Sequence, residues 1–135
     1  MVRHLFKLPA ILYSMLIYYL SSLPQSELPP IHITGFDKVL HFIEYSLYGM
    51  TLLLAYSRSK SSFILRNASL ISIFTGLLYA VTDEIHQVYV VGRDCSFWDF
   101  SADALGVVFG IYVFSKIIMC YNPEDEIHFQ HTSHK

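Results

Sequence analysis

Three stretches of this chain repeat one arrangement of chemically capable side chains: Asp37-His41-Glu44-Tyr48, Gly76-Ala80-Asp83-Gln87 and Asp99-Asp103-Gly106-Gly110. Each follows the spacing i, i+4, i+7, i+11, which is one face of an α-helix. Each face is polar at one end and small or aromatic at the other. Carboxylates beside imidazoles can work as general acids and bases. His41, Glu44, Asp83, Asp103 and His86 are therefore the candidate catalytic residues. Lys38 and Arg93 could hold a phosphate, and with Asp37, Glu84, Gln87 and Asp99 they form the candidate substrate-binding set. The mixed nitrogen and oxygen donors of His41, Glu44, Asp83, His86 and Asp103 would suit a divalent transition metal. His41-x-x-Glu44 is not a zincin signature, which needs two histidines four apart around a glutamate. The cofactor stays open at this level, with a divalent metal as the one candidate.

Several of these residues have a plainer reading. Asp37 and Asp99 could each cap a helix, with Ser96 a rival cap to Asp99. Lys38 and Arg93 could snorkel to an interface. Glu84 could be a solvated acid at a helix end. Trp98, Tyr89 and Phe97 read as an aromatic interface belt. His41, Glu44, Asp83 and Asp103 lie deeper along their stripes, where an ionisable group is costly and marks function.

The elements that must position these groups are membrane-length. Hydrophobic residues make up 53% of the 135-residue chain and charged ones 15%. Those charges are clustered, which leaves long uncharged runs and fits a membrane protein better than a small soluble domain or a soluble bundle with buried helices. No basic run suggests nucleic acid. Four spans are expected, at about 5–23, 36–57, 65–88 and 97–121. The first has the basic flank of a signal peptide, but no A-x-A-like cleavage site follows its long, tyrosine-rich core. Pro24, Pro29 and Pro30 would end it. Residues 122–135 form a polar tail, expected to be disordered, whose His128, His131 and His134 could at most bind metal weakly. Cys95 and Cys120 fall near opposite membrane faces, too far apart to pair.

The expected fold class is all-α: a four-helix transmembrane bundle with both termini cytoplasmic. The orientation follows from lysine and arginine. With the N-terminus inside, Arg3, Lys7, Arg58, Lys60, Arg66, Lys116 and Lys135 lie inside and only Lys38 and Arg93 outside, seven against two. All three polar stripe ends then fall at the outer face. Ala102-x-x-x-Gly106-x-x-x-Gly110 and Ser72-x-x-x-Gly76-x-x-x-Ala80 are small-residue ridges that would draw the helices together beside the acids. Six acids would then share the outer end with two permanent cations, so acids must bind protons or a cation, or sit in water.

The residues Ser21-Ser22-x-Pro24, Asp37-Lys38-x-x-His41-Phe42-x-x-Tyr45, Asp83-Glu84-x-His86-Gln87, Gly92-Arg93 and Asp99-x-x-x-Asp103-x-x-Gly106 resemble the VanZ-like family of small bacterial membrane proteins. The resemblance covers roughly residues 10–115. Glu44 stands where that family often has a polar or small residue. The resemblance implies a multi-pass protein of the bacterial inner membrane connected with the cell envelope. The family takes its name from glycopeptide resistance of the teicoplanin type. Membrane lipids are the expected partners, and a lipid-linked envelope precursor is a candidate ligand. Three functions fit: acid–base processing of an envelope lipid or precursor, binding of a lipid or drug without chemistry, and proton or cation movement. The last fits worst, because the polar groups stop before the inner half. The sequence assigns no oligomeric state.

The orientation is directly testable. Reporter fusions after Lys60 and after Lys135 should read cytoplasmic, and one after Gln25 external. Recovery of a mature chain lacking residues 1–23 would remove the first span.

Overall fold

The computed structural model describes residues 2–28 and 35–121. Among them there are helices and turns and no strand. The expected tail, with its three histidines, and Pro29 and Pro30 lie outside the described residues. A 3₁₀ turn, Val2–Lys7, leads into α1, Leu8–Ser21. A short 3₁₀ turn, Gln25–Glu27, follows. Then come α2, Phe36–Tyr56; α3, Ser62–Arg66; α4, Ala68–Gln87; and α5, Phe97–Tyr121.

Two elements differ from expectation, each for a local reason. The first apolar run is not one α-helix, because Pro9 stands in the first turn of α1. Proline has no N–H to return to the carbonyl four residues back, so the α-helical ladder does not continue through it. The 14 residues of α1 rise only ~21 Å, and a bilayer-length rod needs the preceding 3₁₀ turn as well. Among the described residues, α2, α4 and α5 are the three helices long and apolar enough to cross a membrane. The expected run 65–88 is broken at Asn67, whose backbone leaves the helical region (φ −107°, ψ 20°). Its amide donates to the Phe63 carbonyl at 2.9 Å, the local competition with helix that asparagine favours.

The bundle is organised around α2, which packs on α1, α4 and α5, most extensively on α5. Small residues make that contact. A Cβ on Gly106 would strike the Phe42 carbonyl, and one on Gly110 the Ser46 carbonyl. From the other side, Val107 is fully buried, and a Cβ on Gly49 would lie 2.6 Å from its carbonyl. A Cβ on Gly76 of α4 would lie 2.7 Å from the Val107 side chain. Both small-residue ridges therefore pack as expected. A tyrosine layer joins the remaining helices. The Tyr48 ring lies 6.3 Å from Tyr13, 6.0 Å from Tyr45 and 5.2 Å from Tyr79. Ser14 donates to the Tyr48 hydroxyl at 3.0 Å, and Tyr79 donates to the Ser14 carbonyl at 2.6 Å. These bonds satisfy hydroxyls that hydrocarbon would leave unpaired.

The outer surface is apolar around the bundle. Leu12, Met15, Leu70, Phe74 and Leu105 are each more than 60% exposed. A continuous apolar surface of this kind would be a severe liability in water and is normal against lipid chains.

The α2–α5 contact leaves no room for a side chain. Gly110→Ala should lower the stability of the protein in micelles by ~1–3 kcal/mol, read as a fall in melting temperature. Leu105→Ala, on the lipid-facing side of the same helix, should cost far less. An unchanged melting temperature for Gly110→Ala would contradict the contact.

Candidate functional site

The first turns of α2 and α5 lie side by side. Gly35 takes the N-cap position of α2 with φ +82°, so Asp37 is not the cap. Asp37 sits instead inside the first turn, where the helix dipole favours an anion. Lys38 joins the two helices, its Nζ 2.6 Å from Asp37 Oδ2 and 2.7 Å from Asp99 Oδ1. At α5 the cap is Ser96, whose Oγ accepts from the Asp99 N–H at 3.3 Å. The Ser96 N–H, which the acid at the third helical position of a capping box normally takes, donates to Glu84 Oε2 at 2.7 Å. Asp99 is released to Lys38, and α4 is pinned to the start of α5.

One turn deeper, the α2 and α5 stripes meet. His41 Nδ1 lies 3.0 Å from Asp103 Oδ1, and Asp103 has no exposed side-chain surface. Glu84 closes the group from α4: donor atoms of His41, Glu84 and Asp103 all lie within 4.8 Å of one another. Glu84 is therefore not a solvated helix-end acid; it is 4% exposed. Asp83 is also buried and accepts from Gln87 Nε2 at 3.2 Å, along its own helix. Four buried polar atoms have no partner among the described residues: Glu44 Oε1, Glu84 Oε1, Asp103 Oδ2 and the Tyr45 hydroxyl.

His86 goes elsewhere. Its Nε2 lies 3.0 Å from Ser22 Oγ, and its ring centroid 4.7 Å from that of Tyr18, so it faces α1. It is not brought to the His41–Asp103 pair. Arg93 has a partly structural place. It donates to the Leu20 and Leu23 carbonyls at 3.1 and 3.3 Å, the C-terminal end of α1, where a cation complements the helix dipole.

Above the pair opens a cavity of about 860 Å³. Its polar wall carries Lys38, His41, Glu44, Gln87, Arg93 and Asp99, with Asp37 at the edge. Its α1–α2 flank carries Leu16, Leu20, Leu40 and Ile43. Of the expected residues, Asp83, Glu84 and Asp103 lie beneath or behind this wall and His86 outside it. Ser96 is the residue whose role the sequence reading undervalued. The signal was Ser96-x-x-Asp99 at the start of an apolar run. The signal for Glu84 was the α4 ridge itself: Ser72, Gly76 and Ala80, continued by four, reaches Glu84.

Three long apolar helices, an apolar exterior and a buried polar cluster at one end define an integral membrane protein. The chain belongs to the VanZ/LLP1 family, whose model matches residues 4–119. No curated protein and no solved structure matches it.

The geometry predicts proximity. His41→Cys combined with Asp103→Cys should form a disulfide on mild oxidation, whereas His86→Cys with Asp103→Cys should not. A bond in the second pair and none in the first would refute the arrangement.

Proposed function

We propose that this VanZ-like protein binds the head group of an envelope lipid or lipid-linked precursor at the outer face of the bacterial inner membrane and processes it there. The observation that carries this reading is the shape and chemistry of the cavity. Its polar wall offers Lys38 and Arg93 to a phosphate. Its opposite flank offers Leu16, Leu20, Leu40 and Ile43, which are 37–50% exposed and continuous with the lipid-facing surface. A ligand with an acidic head and an acyl tail matches both halves without leaving the leaflet.

The outer placement follows from the charges at the other end. Arg58, Lys60 and Arg66 lie in or beside the α2–α4 connection opposite the cavity, and Lys116 lies in the same far half of α5; positive residues favour the cytoplasmic side. Both termini are then cytoplasmic. The chemistry is acid–base. His41 lines the cavity while Asp103 holds its ring from behind, the orientation an imidazole needs to move a proton to or from a bound oxygen. Glu44 lines the same wall and is a second proton acceptor. A link to glycopeptide resistance of the teicoplanin type follows from family membership alone and belongs to this proposal. A conduction role is disfavoured. Below the cluster the core is Tyr48, Leu52, Leu53, Val107 and Ile111, with no ionisable relay toward the other face among the described residues.

Purified protein in lipid nanodiscs, given a labelled phospholipid and a labelled lipid-linked diphosphate, tests the reading. Lys38→Met should weaken binding roughly tenfold, ~1.4 kcal/mol. His41→Gln and Asp103→Asn should keep binding and lose turnover at normal abundance, while Ser57→Ala should be silent. Binding without turnover in the unaltered protein would leave a binding protein without chemistry. Full activity in His41→Gln and Asp103→Asn would end the functional reading of the cluster.

A further inference from the structure

We infer that His41, Glu84 and Asp103 form a site for one divalent transition-metal ion at the floor of the cavity. One donor comes from each of α2, α4 and α5, and the donor atoms lie within 4.8 Å of one another. Metal bonds of ~2.1 Å place adjacent donors of an octahedral ion about 3.0 Å apart and opposite ones about 4.2 Å apart. The 3.0 Å separation of His41 Nδ1 and Asp103 Oδ1 matches one edge of such a shell, with the metal taking the place of the proton that the two atoms share without it. With separations of up to 4.8 Å, the Glu84 donor must move inward to complete such a shell.

The second observation is independent of that spacing. Each carboxylate is oriented through one oxygen and leaves the other bare. Glu84 Oε2 accepts from the Ser96 N–H, and Glu84 Oε1 is buried without a partner among the described residues. Asp103 Oδ1 faces His41, and Asp103 Oδ2 is buried and unpartnered in the same sense. A bare buried oxygen on a charged group costs more than one on a neutral group. Both atoms belong to side chains 4% and 0% exposed, which stand with His41 in the same cluster. Glu84, fixed through Oε2 by the Ser96 N–H with Oε1 left free, has the pattern of a metal ligand held by an outer hydrogen bond.

Charge points the same way. Asp83, Glu84 and Asp103 are buried together, with Glu44 alongside. Neither nearby cation pairs with this set among the described residues: Lys38 contacts Asp37 and Asp99, and Arg93 donates to two carbonyls. One imidazole cannot balance this set in a membrane interior, and a divalent ion can. One nitrogen and two oxygens suit Mn²⁺ or Zn²⁺ over Ca²⁺, which takes six to eight oxygens. Three protein donors leave coordination positions open, as in sites that engage a ligand. His41 is shared between this site and the cavity wall, so a phosphate oxygen in the cavity is the natural additional donor. With His41 a ligand, Glu44 is the proton acceptor left on the cavity wall.

The site goes beyond the lipid reading and does not depend on it. The test uses the full chain in detergent with His128, His131 and His134 replaced by alanine, so that the tail contributes no donors. After chelation, the protein is equilibrated with Mn²⁺ or Zn²⁺, desalted, and read by elemental mass spectrometry and by thermal melting. About one ion per chain and a rise in melting temperature are expected, with little effect of Mg²⁺ or Ca²⁺. Glu84→Gln and Asp103→Asn, close in shape, should lose both ion and rise; Glu27→Gln should lose neither. An unaltered cluster that holds no more ion than Glu84→Gln, or that melts identically with and without Mn²⁺ and Zn²⁺, overturns the site. Loss of lipid binding with the ion retained counts against the lipid reading alone. Lipid turnover without any ion counts against the metal alone.

Discussion

The structure depends on how it tolerates one carboxylate. Asp103 stands on a membrane-length helix with no solvent exposure, in a medium where a charged group without partners costs several kcal/mol. Its tolerance requires a partner on another helix and a close approach between the two backbones. Gly106 and Gly110, three and seven residues further along α5, supply the approach by admitting the α2 backbone at Phe42 and Ser46. His41, one residue before Phe42, is then delivered to Asp103. The same contact that costs conformational freedom at two glycines sets the position of the only His–Asp pair among the described residues.

The cluster is enclosed by polar clasps that each use a group another part of the fold left over. Ser96 gives its side chain to cap α5 and its N–H to Glu84. Asp99, not needed in the cap, receives Lys38. Arg93 takes the end of α1, and Gln25 donates to the Val91 carbonyl at 3.2 Å, so the two loops at the polar end are joined. The result is a polar end held by ion pairs and caps above a core of tyrosines and aliphatic residues. Such an end is rigid enough to orient His41 and still open on its α1–α2 flank.

Much of this was legible in the residues. The stripes through Asp37, His41 and Glu44 and through Asp99, Asp103 and Gly106 encode a shared face, because helical phase is set by spacing alone. The small-residue ridges encode which faces approach. What spacing does not encode is which neighbour lies on which side. Around α4, Glu84 and His86 diverge from Asp83 by about 100° one way and about 60° the other. Both are polar and both are near the helix end, so pattern alone ranks His86, an imidazole, above Glu84. With α5 on one side and α1 on the other, Glu84 meets the cluster and His86 meets Tyr18 and Ser22. The breaks at Pro9 and Asn67 were missed for a different reason. Hydropathy windows measure apolarity, and both residues sit in runs that stay apolar through a backbone interruption.

The central claim is that Asp103 and His41 are energetically one unit. A double-mutant cycle on thermal stability, with His41→Gln, Asp103→Asn and the double variant in the same lipid environment, measures it most directly. Each single change leaves a buried group without its partner, so the effects of the two should fail to add. A coupling of ~1.5–3 kcal/mol is expected for a pair in direct contact. Additivity within ~0.5 kcal/mol, the behaviour of independent sites, would contradict the account.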